Sequence, residues 1–165
     1  MSTSLVSLAS LLNSFEPMTP QIRVAAIISR EQQILLVEHR KRGQRYWVLP
    51  GGRLEPGETL KTAVLRELQE ELTLQGTVGQ LLAVYETLAP ERHVVNLAFA
   101  VDIGRAEPQI DRNDAVLAGW RWVAVTALSQ MDFRPPIAEP LGEIIAEGLR
   151  GPVRVLGDTW SATDR

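Results

Sequence analysis

The chain has 165 residues, a net charge of −3 from 17 Lys and Arg against 20 Asp and Glu, 45% apolar-class residues and no cysteine. That length suits one domain with a sizeable core, and a 22% charged share beside so large an apolar share marks a globular chain, not a disordered one. The missing cysteines exclude a disulfide scaffold, a thiolate zinc site and a cysteine nucleophile, and the slightly acidic balance speaks against a nucleic-acid polymer as partner. A cysteine-free chain fits a reducing compartment, and a cytoplasmic protein is expected.

Residues 1–165 read as one domain, with 1–20 as an N-terminal helical extension and 150–165 as a C-terminal tail. In the extension Leu5, Leu8, Leu12 and Phe15 recur at helical spacing, and Pro17 and Pro20 end the pattern. The stretch lacks a basic start and an unbroken apolar middle, and it is too short to span a bilayer, so no membrane role is expected. It packs on the domain or on a partner subunit, the second alternative being a homodimer. Two β-branched runs follow at 22–29 and 33–38, joined by a turn at Arg30, Glu31 and Gln32. A basic loop (Arg40, Lys41, Arg42, Arg45) leads to a short strand at 46–49, then to loops punctuated by Pro50, Gly51, Gly52, Pro56 and Gly57. Thr59 is placed to cap a helix running to about Leu72. Strands are expected around 78–86, 94–103 and 120–125, with a loop at 110–118 and a helical turn at 126–131. Pro135, Pro136 and Pro140 set off a last helix through Leu149, and 153–160 is an extended tail. This order predicts an α/β fold, a mixed β-sheet between helices.

The helix at 60–72 opposes ordinary stability rules. Leu60, Val64, Leu68 and Leu72 form a buried stripe with Leu65 beside it, while Glu67, Glu70 and Glu71 share an adjacent face. Like charges at these spacings repel by a few tenths of a kcal/mol each, and the helix C-terminus favours cations. Arg66, four residues before Glu70, relieves one carboxylate only. A solvated acidic face is the plain alternative. Against it stands the preceding segment, Leu49-Pro50-Gly51-Gly52-Arg53-Leu54-Glu55-Pro56-Gly57-Glu58, which returns another carboxylate towards the helix start. Its glycines allow close backbone approach. A loop carbonyl with converging carboxylates is an all-oxygen site suited to Mg²⁺ or Mn²⁺, and the absence of His and Cys from the cluster argues against zinc.

Residues 52–74 resemble the Nudix box: glycine, five residues, glutamate, seven residues, then Arg-Glu-apolar-x-Glu-Glu-x-Gly-apolar. Here the pattern is Gly52, Glu58 and Arg66-Glu67-Leu68-Gln69-Glu70-Glu71-Leu72-Thr73-Leu74. Every charged position matches; Thr73 stands where the family has glycine, which puts the helix C-cap in question. The resemblance implies a Nudix-like α/β/α sandwich. It further implies Mg²⁺- or Mn²⁺-dependent hydrolysis of a small nucleotide, a nucleoside diphosphate linked to another group. By the same resemblance Glu67 and Glu71 are the leading metal ligands, with Glu70 and the Gly51 carbonyl as further ligands. Arg66 orients the carboxylates and belongs with Glu67, Glu70 and Glu71 in the catalytic set. Glu58 supports the ligands or serves as an additional acidic group, and a glutamate of this cluster or of a later loop deprotonates the attacking water.

Outside the box, Arg40, Arg42 and Arg45 are candidates to hold substrate phosphates, with a solvated loop as an equal alternative. Trp47 and Tyr46 stack on a base or belong to the core. Asp114, with Asp111, falls where the family often has an extra acidic ligand or base, or caps its loop. His93 reads as structural, and Trp120 and Trp122 share one sheet face as core or interface. Pro90, sixteen residues after Leu74, resembles a feature of members acting on ADP-ribose. It favours ADP-ribose or a nucleotide sugar over nucleoside triphosphates or dinucleoside polyphosphates. A non-catalytic nucleotide sensor is the reading from another class; the retained Glu58, Glu67, Glu70 and Glu71 favour the enzyme.

Overall fold

The computed structural model describes residues 19–110 and 116–159. The expected N-terminal helix, Asp111, Asp114 and Trp160 lie outside these residues. In chain order the elements are β1 (Gln21–Ile27), β2 (Ser29–Arg30), β3 (Gln33–Lys41), β4 (Gln44–Val48) and α1 (Leu60–Leu72). There follow β5 (Thr77–Ala89), β6 (Arg92–Asp102), β7 (Leu117–Ala124), a 3₁₀ helix (Val125–Gln130), α2 (Ala138–Ala146) and β8 (Arg154–Asp158).

The α/β expectation holds, with two four-stranded sheets where one was expected. The first runs β1-β6-β5-β8, parallel at both outer pairs and antiparallel between β5 and β6. The second is antiparallel, β3 pairing with β2, β4 and β7. The apolar run at 22–29 is therefore not one arm of a hairpin. It divides at Ile28, β1 lying parallel to β6 while the turn at Glu31 and Gln32 joins only β2 to β3.

The helices cover opposite faces. Val24, Ala26, Leu35 and Val37 pack with Val64, Leu68 and Leu72 of α1. Their strand neighbours Ala25, Ile27, Ile34 and Leu36 pack with Leu141, Ile144 and Ile145 of α2. Strands buried on both faces need apolar residues at every position, which is why these segments lack period-2 alternation.

Three further expectations change. The basic loop is a β-hairpin: Arg40 pairs with Arg45, and Arg42 and Gly43 turn at φ +52° and +79°, the signature of a type I′ turn. The last helix starts at Ala138, before Pro140, whose missing N–H falls in the first turn where it costs no hydrogen bond. It ends at Ala146, short of Leu149, because Gly148 and Leu149 adopt left-handed conformations.

Thr73 closes α1 as a glycine would, at φ +53°. Its N–H bonds to the Gln69 carbonyl and that of Leu74 to the Leu68 carbonyl, both at 3.1 Å, a Schellman-type pairing. A β-branched residue is strained there. Thr73→Gly is expected to raise stability by about 0.5–1 kcal/mol, roughly 1–4 °C in Tm. A thermal melt that moved down instead would show that the threonine carries no strain.

Candidate active site

The segment after β4 closes the free edge of β1. Val24 N–H bonds to the Gly52 carbonyl and Ala26 N–H to the Pro50 carbonyl, both at 2.9 Å, and Leu54 N–H to the Ile22 carbonyl at 3.0 Å. Gly51, at φ +136°, presses so close to β1 that a Cβ would lie 2.2 Å from the Val24 carbonyl oxygen. Gly52 has a different reason to be glycine. A Cβ there would stand 2.3 Å from the Glu67 carboxylate, so the empty space above Gly52 is where Glu67 lies. Gly52→Ala is expected to leave Tm within about 2 °C of the parent, since the clash falls on the end of a flexible side chain. It should lower turnover at least tenfold by moving Glu67; unchanged turnover would remove Glu67 from the site.

The helix and the loop are joined at their centre. Gly51 N–H donates to Glu71 Oε2 at 2.8 Å. Arg66 gathers the remaining carboxylates. Its Nη2 and Nε donate to Glu58 at 2.8 and 3.1 Å, and its Nη1 to Glu67 at 2.8 Å and Glu70 at 3.1 Å. Nη2 also reaches the Arg53 carbonyl at 2.9 Å. The repulsion expected along this face is thus relieved by one fork-shaped cation that contacts two of its three glutamates, not one, and Glu58 of the loop besides. Glu58 and Glu67 are each 13% exposed and Glu70, at the rim, 59%. Hydrogen bonding from Arg66 holds the Glu58 carboxyl below its ordinary range, and Arg66 is pushed further up, chiefly by Glu58. Burial raises Glu67, partly countered by Arg66. Glu67 is therefore a carboxylate under desolvation, which a bound cation would relieve.

Glu67, Glu70 and Glu71 line one cleft with His39, Val116 and Leu117. His39 Nε2 lies 3.7 Å from Glu71 Oε1, and its ring meets Tyr46 edge-on at 5.8 Å. The donor chemistry suits a hard divalent cation: three carboxylates and loop carbonyls, with no thiolate. Among the described residues no three acidic or histidine side chains converge as a ligand set. Arg66 holds Glu67 Oε1 and Glu70 Oε2, and the Gly51 N–H holds Glu71 Oε2.

The other site candidates fall elsewhere. Alternation along β3 and β4 puts Arg40, Arg45 and Trp47 on the face opposite His39 and Tyr46. Arg45 faces Glu38 at 3.5 Å, Arg42 is at the exposed hairpin turn, and Trp47 packs against the α2-side core under Arg121. His93 pairs with Glu86 at 3.1 Å on the β5–β6 hairpin and does not line the cleft. Trp120 and Trp122 pack against the α1-side core. The segment carrying Asp114 leads directly into Val116 and Leu117 of the cleft. Two residues escaped the sequence reading. His39 continues the α1-side alternation of Leu35 and Val37, a signal that was available. Arg23 donates from Nη2 to the carbonyls of Gly51 at 2.6 Å and Leu49 at 3.1 Å. Its only mark in the sequence is a charge inside an apolar strand.

Fold and site together define an α/β protein built on a glutamate-rich helix fastened to a glycine loop. The NUDIX domain family model matches residues 19–147, and the chain belongs to the Nudix hydrolase family. It is similar to the phosphatase NudJ of Escherichia coli (strain K12), 28% identical over 147 residues, or 87% of this chain and 95% of that protein. The solution structure of the E. coli ORF135 protein superposes with a TM-score of 0.66 at 28% identity, covering 78% of this chain and 91% of that one. A NUDIX hydrolase from Nitrosomonas europaea gives a TM-score of 0.68 at 26% identity, covering 81% and 93% respectively.

Proposed function

We propose that this Nudix hydrolase cleaves the pyrophosphate of a nucleoside diphosphate linked to another moiety, with Mg²⁺ or Mn²⁺. ADP-ribose or a nucleotide sugar is favoured over a nucleoside triphosphate or a dinucleoside polyphosphate. The observation that carries this reading is the joining of Glu71 to the Gly51 N–H, with Glu67 lodged above Gly52. In this reading Glu67, Glu70, Glu71 and the Gly51 carbonyl hold the divalent ion, and Asp114 is a candidate additional ligand or base. Such an ion polarises phosphate oxygens, lowers the pKa of water and offsets charge on the leaving phosphate. Arg66 keeps Glu58, Glu67 and Glu70 oriented. The basic hairpin of Arg40, Arg42 and Arg45 adds positive potential that draws an anionic substrate towards the molecule.

Pro90 occupies the first corner of the two-residue turn between β5 and β6, a position proline favours for its own sake. Incubation with ADP-ribose, nucleotide sugars, dinucleoside polyphosphates and nucleoside triphosphates plus Mg²⁺ or Mn²⁺, with identification of the products, tests the proposal. Release of a nucleoside monophosphate and a phosphorylated second moiety from one of the first two classes supports it. Binding of a member without turnover would favour a sensor.

A further inference from the structure

Arg23, Asn96 and Tyr85 stand in one row across the first sheet, Asn96 pairing with Arg23 on one side and Tyr85 on the other. Their side chains lie on the α2 face, where Tyr85 is part of the core. Arg23 and Tyr85 are two strands apart, about 10 Å between backbones, and the residue between them is short. A guanidinium and a phenol can therefore meet above Asn96.

The two ends of this row are chemically incomplete in complementary ways. The Arg23 guanidinium rests on the Gly51 carbonyl at 2.6 Å, the backbone oxygen that the proposed function gives to a divalent ion. The Tyr85 hydroxyl, in a residue 1% exposed, is the buried side-chain polar atom with no hydrogen-bond partner among the described residues. A buried hydroxyl without a partner is costly and uncommon in folded proteins. Arg23 is also the charged group felt by the Tyr85 phenol. Two cations cannot share one carbonyl without strong repulsion at such separations.

We propose that Arg23 is an internal cation that holds the Gly51 carbonyl until a divalent ion takes it, the Tyr85 hydroxyl then accepting the guanidinium. Arg23 and Tyr85 are thus positioning residues that set the cation affinity of the site. The metal-free loop is kept in place by Arg23, and the otherwise unused hydroxyl lowers the cost of displacing it. The inference rests on the Gly51 carbonyl being a ligand.

Titration of the full chain with Mn²⁺ alone, read by the paramagnetic resonance of free Mn²⁺, tests it without turnover. Arg23→Gln keeps an N–H donor for Gly51 but loses the charge, and should bind Mn²⁺ about tenfold more tightly than the parent. Tyr85→Phe removes the acceptor, and should bind Mn²⁺ roughly three- to tenfold more weakly while melting no lower than the parent. Either variant binding within twofold of the parent, where Glu71→Gln weakens Mn²⁺ binding at least about tenfold, overturns the proposal and leaves the functional reading intact. A parent with no Glu71-dependent Mn²⁺ site defeats both. If Arg23→Gln does not fold, Tyr85→Phe decides alone.

Discussion

Glu71→Gln is expected to lower kcat/KM at least about a hundredfold at matched Mg²⁺, with the metal-free fold unchanged. The amide oxygen can still accept the Gly51 N–H, now 2.8 Å from Glu71 Oε2, so the loop stays fastened to the helix. What disappears is one negative charge at the junction of loop, helix and His39. Removing it also relieves the repulsion with Glu67. The variant should therefore melt at or slightly above the parent without metal. Loss of rate without loss of fold separates a chemical role from a structural one. Parent-like hydrolysis would remove Glu71 from the proposed metal-ligand set.

Arg66→Met is expected to act in the opposite sense, on fold and rate together. Methionine preserves the aliphatic packing but leaves Glu58, Glu67 and Glu70 facing one another without their shared cation. Breaking a fully buried pair costs several kcal/mol; here Arg66 retains 23% exposure, and water screening brings the expected loss to about 2 kcal/mol. That corresponds to roughly 4–8 °C in Tm for a chain of this size. Mg²⁺ should then raise the melting temperature more in the variant than in the parent, because it replaces the missing positive charge. A variant with parent stability, rate and Mg²⁺ response would show that the arginine is a surface ornament.

The acidic helix was legible because two signals coincide there. Its apolar stripe, Leu60, Val64, Leu68 and Leu72, has the helical period, and its glutamates break the rules that a merely stable helix would obey. The glycine loop was legible as a loop, but not the separate demands on its two glycines. Gly51 yields to the β1 backbone, a contact that no local pattern records, and Gly52 to the Glu67 side chain, whose spacing the box fixes without showing that the two touch. Sequence separation also hid Arg23, whose carbonyl partners lie 26 and 28 residues away. The basic segment at 40–45 was misread as a loop because charged residues on both faces of a hairpin show no alternation. Only Gly43 betrayed the turn. Two sheets rather than one could not be foreseen from the run at 22–29, since its apolar residues suit either sheet and pairing partners are chosen by distant strands. Thr73 was correctly singled out as a departure, and the structure shows the left-handed cap retained despite it.

A Mg²⁺ titration of turnover, on whichever nucleoside diphosphate derivative is cleaved fastest, tests metal-dependent hydrolysis at the glutamate helix. The expected result is saturable activation, complete loss on chelation, and displacement of the curve to higher Mg²⁺ in Glu71→Gln. Turnover that persists undiminished in excess chelator, or a tightly bound nucleotide that is never cleaved at any Mg²⁺ concentration, would contradict it.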